Sequence, residues 1–229
     1  MKIIVTGAAG LIGSHLCDLF IENGNHVIGI DDLSFGNVNN LNKKMEFHKI
    51  DVSKENSLIS FKDIDVLCHL ASYKKSFVAE TSSFDVMDIN FGMSKEVIRF
   101  CRNNKTSLLF TGTSDVYGNS DNFLEDEDIT FGPPTVQRYS YALSKLHTEQ
   151  LILNEIGDNR LIGVIARVFG CASPRSNKSW SGGHLPLFID RAIKNKDIFI
   201  HGNGLQTRSM SHAKDIAKGL FSMAMKIND

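Results

Sequence analysis

The chain begins with a short apolar segment that runs directly into a glycine turn and then a helix. Residues 2–6 read K-I-I-V-T, Gly7-Ala8-Ala9-Gly10-Leu11-Ile12-Gly13 follows, and an amphipathic stretch covers 14–23. A brief apolar run bounded by glycine is the pattern of a buried parallel strand. Glycines at its carboxyl end let the backbone approach a pyrophosphate, and the next helix offers that anion its free N–H groups and positive dipole end. A second apolar segment, 26–30, ends at Asp31-Asp32. A carboxylate there accepts hydrogen bonds from adenosine ribose hydroxyls and repels a 2′-phosphate, so NAD is expected rather than NADP. The spacing is G-x-x-G-x-x-G, not the commoner G-x-G-x-x-G.

Bulk properties remove several alternatives. The 229 residues suffice for a substantial core. The net charge is −1 and no basic stretch occurs, so nucleic acid has no electrostatic footing. The sequence shows no bilayer-length apolar run and no charged-then-apolar leader, which leads to the expectation of a cytoplasmic protein with no membrane partner. Cys17, Cys68, Cys101 and Cys171 are scattered, without C-x-x-C, and read as reduced thiols; no metal site is expected.

Strand and helix signals alternate, which indicates a parallel sheet covered on both faces. Further strands are expected at 45–50, 65–70, 107–111 and 161–167, with a weaker one at 198–201. Helices are expected at 54–60, 84–103, 135–155, 187–195 and 213–226. Two long loops interrupt the alternation. One, 118–134, carries Glu125-Asp126-Glu127-Asp128, which reads as a solvated face. The other, 170–183, carries Pro174, Arg175, Lys178 and Trp180. Loops of this length in a compact domain commonly serve function.

Tyr141-Ala142-Leu143-Ser144-Lys145 opens the helix expected at 135–155. Tyr and Lys four apart share a helix face. A free phenol titrates near 10, too high for a base at neutral pH, whereas a nearby ammonium and an oxidised nicotinamide both favour phenolate. Such a phenolate can take a proton from a sugar hydroxyl while hydride leaves the same carbon. Tyr139 has no lysine four residues later. Thr113, just past the strand at 107–111, offers a hydroxyl to the same oxygen.

These segments occur together and in order with Asp51-Val52, His69-Leu70-Ala71-Ser72, Thr113-Ser114-Asp115-Val116-Tyr117-Gly118 and Arg167. The chain resembles the extended short-chain dehydrogenase/reductases, specifically the NAD-dependent nucleotide-sugar epimerase/dehydratase family. The resemblance implies an α/β fold: a Rossmann-type doubly wound parallel sheet (1–167) with a small, truncated C-terminal substrate lobe (168–229) interleaved with it. It implies cofactor contacts from Gly7, Gly10, Leu11, Ile12, Gly13, Asp31, Asp32, Asp51, Val52, Leu70, Ala71, Ser72 and Lys145, with Asn90 supporting the site. Thr113, Tyr141 and Lys145 form the implied catalytic trio, joined by Asp115. Lys74, Arg175 and Arg208 are the implied substrate residues. Arg208 ends a segment resembling G-x-G-x-x-x-R (Gly202-Asn203-Gly204-Leu205-Gln206-Thr207-Arg208), and its guanidinium suits a diphosphate.

The resemblance implies oxidation at sugar C4 and a 4-keto intermediate. Dehydratases of the deoxysugar type carry Asp-Glu after the active Thr; here Ser114-Asp115 leaves that pair incomplete. The expectation is a 4-epimerase acting on a UDP-sugar, with a decarboxylase or dehydratase, or a non-catalytic NAD-binding protein, as alternatives. Two departures bear on substrate contacts: Gly170 and Ala172 replace the family's Asn and Tyr after Arg167, and Ser209 replaces an Asp after Arg208. The two long helices imply a homodimer through 84–103 and 135–155.

Overall fold

The computed structural model describes residues 1–74, 82–118, 139–176, 184–200 and 202–229. Six strands form one wholly parallel sheet: β1 (Lys2–Thr6), β2 (His26–Asp31), β3 (Glu46–Lys49), β4 (Val66–His69), β5 (Ser107–Thr113) and β6 (Gly163–Val168). Their order is β3-β2-β1-β4-β5-β6. The chain moves outward from β1 to β3 and then crosses back to begin the other half at β4. A crevice opens where the winding direction changes, outside the carboxyl ends of β1 and β4, and ligands bind such sheets there.

Alternate strand residues point to opposite faces. Ile4, Ile28, Leu67 and Leu108 meet Val97 and Phe100 of α2 (Ser83–Asn104) and Ile152 of α3 (Tyr139–Gly157). Ile3, Val5, Val66 and Cys68 meet Leu16 and Phe20 of α1 (Leu11–Glu22). Two further helices are α4 (His184–Ile193) and α5 (Ala213–Met225), and Ala217, Leu220 and Ala224 of α5 complete the face shared with α1. Each large apolar side chain buried this fully contributes about 1.5–3 kcal/mol. A one-residue slip of any inner strand would reverse both faces, so the pattern fixes the register. A capping box starts α2, with the Asp85 N–H donating to Ser82 Oγ at 3.0 Å and the Ser82 N–H to Asp85 Oδ2 at 3.2 Å.

Three expectations need correction. Residues 54–60 form a succession of turns rather than a helix; Asn56 sits at φ +59°, which no helix continues through, and Lys54, Ser57, Ile59 and Phe61 each donate to a carbonyl three residues back. Residues 198–200 form no strand: Ile198, Phe199 and Ile200 are exposed, and no described strand pairs with them. The segment from 170 is not all loop. Gly170–Ala172 (β7) pairs in parallel with Met210–His212 (β8). A Cβ at 170 would collide with the Ser209 carbonyl, so glycine permits this pairing.

The acidic run 125–128, residues 135–138, Lys178, Trp180 and His201 lie outside the described residues. All four cysteines are free thiols. Among the described residues, no helix is long and apolar enough to cross a membrane.

Candidate functional site

A cleft of about 1270 Å³ runs along the carboxyl ends of the central strands. At its middle lies the glycine turn between β1 and α1. Gly7 has φ +74°, and a Cβ there would stand 2.8 Å from the Ala71 amide nitrogen, so only glycine lets this turn pass beneath the segment after β4. A Cβ on Gly10 would meet only the Gly7 carbonyl, at 3.1 Å, and would otherwise stand in the cleft. The first N–H groups of a helix lack intrahelical partners, and Gly10 provides α1 no side-chain cap. The Gly10 N–H closes the turn by donating to the Gly7 carbonyl at 3.0 Å, so Leu11, Ile12 and Gly13 present the uncapped N–H groups and a dipole's positive end to the cleft. This donor set fits a pyrophosphate.

On one side of the turn stands Asp31, at the end of β2 and only 8 % exposed. Its Oδ2 accepts the Ala9 N–H at 3.0 Å and its Oδ1 the Leu33 N–H at 2.8 Å. Burial pushes this carboxyl above its usual range, and the two N–H groups oppose that rise. Each oxygen keeps a lone pair for a ribose hydroxyl. Asp32 instead closes an exposed turn, accepting from the Ser34 N–H and hydroxyl at 2.8 and 2.6 Å. Asp51 closes a similar turn with Ser53, and Val52 lines the cleft wall beyond. The carboxylate after β2, the uncapped helix and the apolar wall together match the ribose, pyrophosphate and base of NAD.

The other arm holds the threonine, tyrosine and lysine that the sequence singles out. Leu70, Ala71 and Ser72 line it beside the glycine turn. Thr6 Oγ1 accepts the Ala71 N–H at 3.2 Å and lies 2.7 Å from His69 Nδ1, locking the exit of β4 to β1. Thr113 ends β5, lines the cleft and is 8 % exposed; its Oγ1 accepts the Asp115 N–H at 3.2 Å. Tyr141 lines the same cleft from the first turn of α3. One turn later, Lys145 is 3 % exposed and its Nζ donates to the Thr111 carbonyl at 3.1 Å, 4.7 Å from the centre of the Phe110 ring. Burial lowers its pKa from 10.5 to about 8, against the pull of Glu149.

The structure joins two residues expected in separate roles. Lys74 Nζ lies 3.5 Å from Asp115 Oδ2 and 4.8 Å from the centre of the Tyr141 ring. Asn90 does not line the cleft. Its Oδ1 accepts the Tyr73 N–H at 2.8 Å, and its Nδ2 donates to the Tyr73 carbonyl at 2.9 Å and Ser144 Oγ at 3.0 Å, which fastens the segment carrying Lys74 to the helix carrying Tyr141. Arg175 reaches the cleft but is paired at 2.7 Å with Asp18 of α1, on the pyrophosphate side. Arg208 lines the cleft from an exposed position.

Sequence reasoning missed the wall formed by 33–40. Asn37 N–H and Asn40 Nδ2 both donate to the Ala9 carbonyl at 3.0 Å, tying this segment to the glycine turn, and the Phe35 ring packs edge-on against Tyr73 with 5.5 Å between centres. It also missed Glu149, which four-residue spacing from Lys145 could have flagged.

Residues 3–229 match the model of the NAD dependent epimerase/dehydratase family. The chain belongs to that family. Relatives within it include the UDP-N-acetyl-alpha-D-glucosaminuronate decarboxylase of Bacillus cytotoxicus, 28 % identical over 99 % of this chain and 72 % of the relative. A Methanocaldococcus jannaschii protein provisionally named as a UDP-glucose 4-epimerase is 33 % identical over 94 % of this chain and 71 % of its own length. A solved UDP-N-acetylglucosamine 4-epimerase from Methanobrevibacter ruminantium, in complex with UDP-N-acetylmuramic acid, superposes with a TM-score of 0.87 at 28 % identity, covering 98 % of this chain and 73 % of that one. The epimerase/dehydratase family assignment carries an NAD-dependent enzyme of nucleotide-sugar chemistry; its members differ in what becomes of the sugar.

Proposed function

We propose that this chain is a nucleotide-sugar 4-epimerase that uses NAD and acts on a UDP-sugar through a 4-keto intermediate. One observation carries the reading: Tyr141, Thr113 and the uncapped start of α1 line a single cleft, with Lys145 one helical turn behind Tyr141. When bound, NAD would supply the acceptor and donor of hydride at sugar C4. Asp31, Gly10, Leu11, Ile12 and Gly13 would hold it, with Asp51 and Val52 at its base and Leu70, Ala71 and Ser72 toward the reactive end. Tyr141 takes the proton from the C4 hydroxyl and returns it to the ketone oxygen. Thr113 hydrogen-bonds the same oxygen, and the positive charge of Lys145 favours the phenolate form of Tyr141 that takes the proton. Lys74 and Arg208 face the sugar nucleotide; Arg175, held by Asp18, is better placed for the cofactor side.

Epimerisation requires the 4-keto sugar to present its other face before hydride returns, and an open cleft of about 1270 Å³ gives it room. A second reading is favoured by Asp115: a carboxylate paired with Lys74, which in turn lies over the Tyr141 ring, could assist loss of carbon dioxide or water from the 4-keto sugar. NMR of UDP-sugars incubated with the NAD-loaded protein separates the readings. A C4 epimer supports the proposal, a decarboxylated or dehydrated product replaces it with the second, and unchanged sugar in every case refutes both. We further propose a homodimer through α2 and α3, which leave Phe84, Leu143 and Leu153 exposed.

A further inference from the structure

Behind Lys145 lies a buried acid that the reaction itself does not touch. Glu149 is on α3, four residues and one turn after Lys145, and is 2 % exposed. Lys145 reaches the carbonyl of Thr111, while the carboxylate of Glu149 lies over the next residue of β5, Gly112. A Cβ on Gly112 would collide with Glu149 Oε1, so the strand has a glycine where the carboxylate must pass. From β6, Arg167 grips that carboxylate through two nitrogens, with Nη2 at 2.7 Å and Nε at 3.0 Å from Oε2. The Arg167 guanidinium also lies 4.9 Å from the centre of the Tyr117 ring. Gly112 of β5 and Arg167 of β6 thus fix one carboxylate a helical turn after the buried ammonium.

We propose that Glu149 is a positioning residue, locked by Arg167 and admitted by Gly112, whose buried negative charge keeps Lys145 protonated in an environment that would otherwise strip it. This rests on the reading of Lys145 as the cation beside the reactive tyrosine. The surroundings leave no other anion for the task among the described residues. On α3, Glu149 follows Lys145 by one turn and Tyr141 precedes it by one. From β5 Lys145 meets only the Thr111 carbonyl and the Phe110 ring. From β4 comes His69, whose pKa burial and Lys145 lower to about 3, so it is neutral. From β6 comes Arg167, a cation whose field Glu149 offsets. α2 presents Asn90 and Ser94 to α3 at Ser144 and Thr148, and neither ionises. Among the described residues, the charge of Glu149 opposes the downward push of burial on Lys145. Buried ammonium groups do deprotonate near neutrality when nothing opposes desolvation.

The sign of the response distinguishes this from a packing role. Glu149→Gln keeps shape and removes the charge. If Glu149 acts through its charge, Lys145 in that variant binds its proton at least about tenfold more weakly, a fall of one pH unit or more. If Glu149 only packs the helix, loosening admits water and Lys145 binds its proton more tightly. The probe is the Lys145 side chain in protein with isotope-labelled lysine, assigned by its absence in Lys145→Met and titrated by NMR without sugar. A lower midpoint in Glu149→Gln, with a near-normal midpoint restored in Glu149→Asp, supports the proposal. An unchanged or raised midpoint in a Glu149→Gln protein of native circular dichroism overturns it. Should Glu149→Gln fail to fold, Gly112→Ala displaces the carboxylate with the charge retained, and an unchanged Lys145 midpoint there overturns the proposal equally. Because no sugar turnover is read, the result is independent of which reaction the cleft performs.

Discussion

Lys145→Met makes a demanding prediction, because it should harm the site and help the fold. Folding carries the Lys145 ammonium from water to a position 3 % exposed and lowers its pKa from 10.5 to about 8. A shift of about 2.5 units is about 3 kcal/mol charged against the native state at neutral pH. The sign follows from proton counts. Between about 8 and 10.5 the unfolded chain binds a proton that the folded one has released, so this penalty shrinks as pH rises. It is fully present below about 8 and gone above 10.5. Methionine removes the charge at similar length but leaves the Thr111 carbonyl without its 3.1 Å donor, which returns about 1–2 kcal/mol of the gain. The variant is therefore expected to be about 1–2 kcal/mol more stable than wild type near pH 7, and to lose that advantage by about pH 9.5. Urea unfolding of both proteins at the two pH values, followed by circular dichroism, measures it. A variant less stable than wild type near neutrality, or a difference that does not move toward wild type with rising pH, refutes the reasoning. Sugar turnover in the same variant is expected to fall by about 100-fold or more.

Three further outcomes are expected. Gly7→Ala puts a side chain at φ +74° and 2.8 Å from the Ala71 nitrogen, so urea unfolding should show a loss of about 2–4 kcal/mol and calorimetry no NAD binding. Asp31→Asn keeps acceptors for the Ala9 and Leu33 N–H groups on one oxygen only and removes the charge facing the ribose; NAD affinity should drop about tenfold while NADP, measured by the same calorimetry, improves relative to it. Light scattering at micromolar protein should give twice the mass of the chain, and Leu153→Glu on the exposed side of α3 should return it to one; a wild-type monomer rejects the dimer.

The sheet was legible because its signals are local and redundant. Ile3, Ile4 and Val5 form a continuous apolar run that ends just before a glycine turn, and such a run has few alternatives to a strand buried on both sides. Gly7 and Asp31 were legible for a related reason: each satisfies a backbone need that the residue type itself reveals. The misreadings lie where partners are remote in sequence. The run at 198–200 has strand-forming side chains but no edge to pair with, whereas Gly170–Ala172 reads as loop yet finds β8 forty residues on. Residues 54–60 have helical composition, but the left-handed Asn56 divides them. Within the site, chemistry was readable and pairing was not. The resemblance implies Arg175 as a substrate residue; Asp18, which holds it, stands far away in sequence. Asn90 was readable as a support but not as a clamp on Tyr73, since its amide could equally have faced solvent.

The central claim is that Tyr141 moves the proton that accompanies hydride transfer within this cleft. Rapid mixing of NAD-loaded protein with a UDP-sugar that it converts, followed by the absorbance of reduced nicotinamide, tests it in one turnover. Wild type should show a transient reduced signal, and Tyr141→Phe should slow its rise by about 100-fold or more while binding NAD as before. A Tyr141→Phe protein that reduces the cofactor as fast as wild type contradicts the claim.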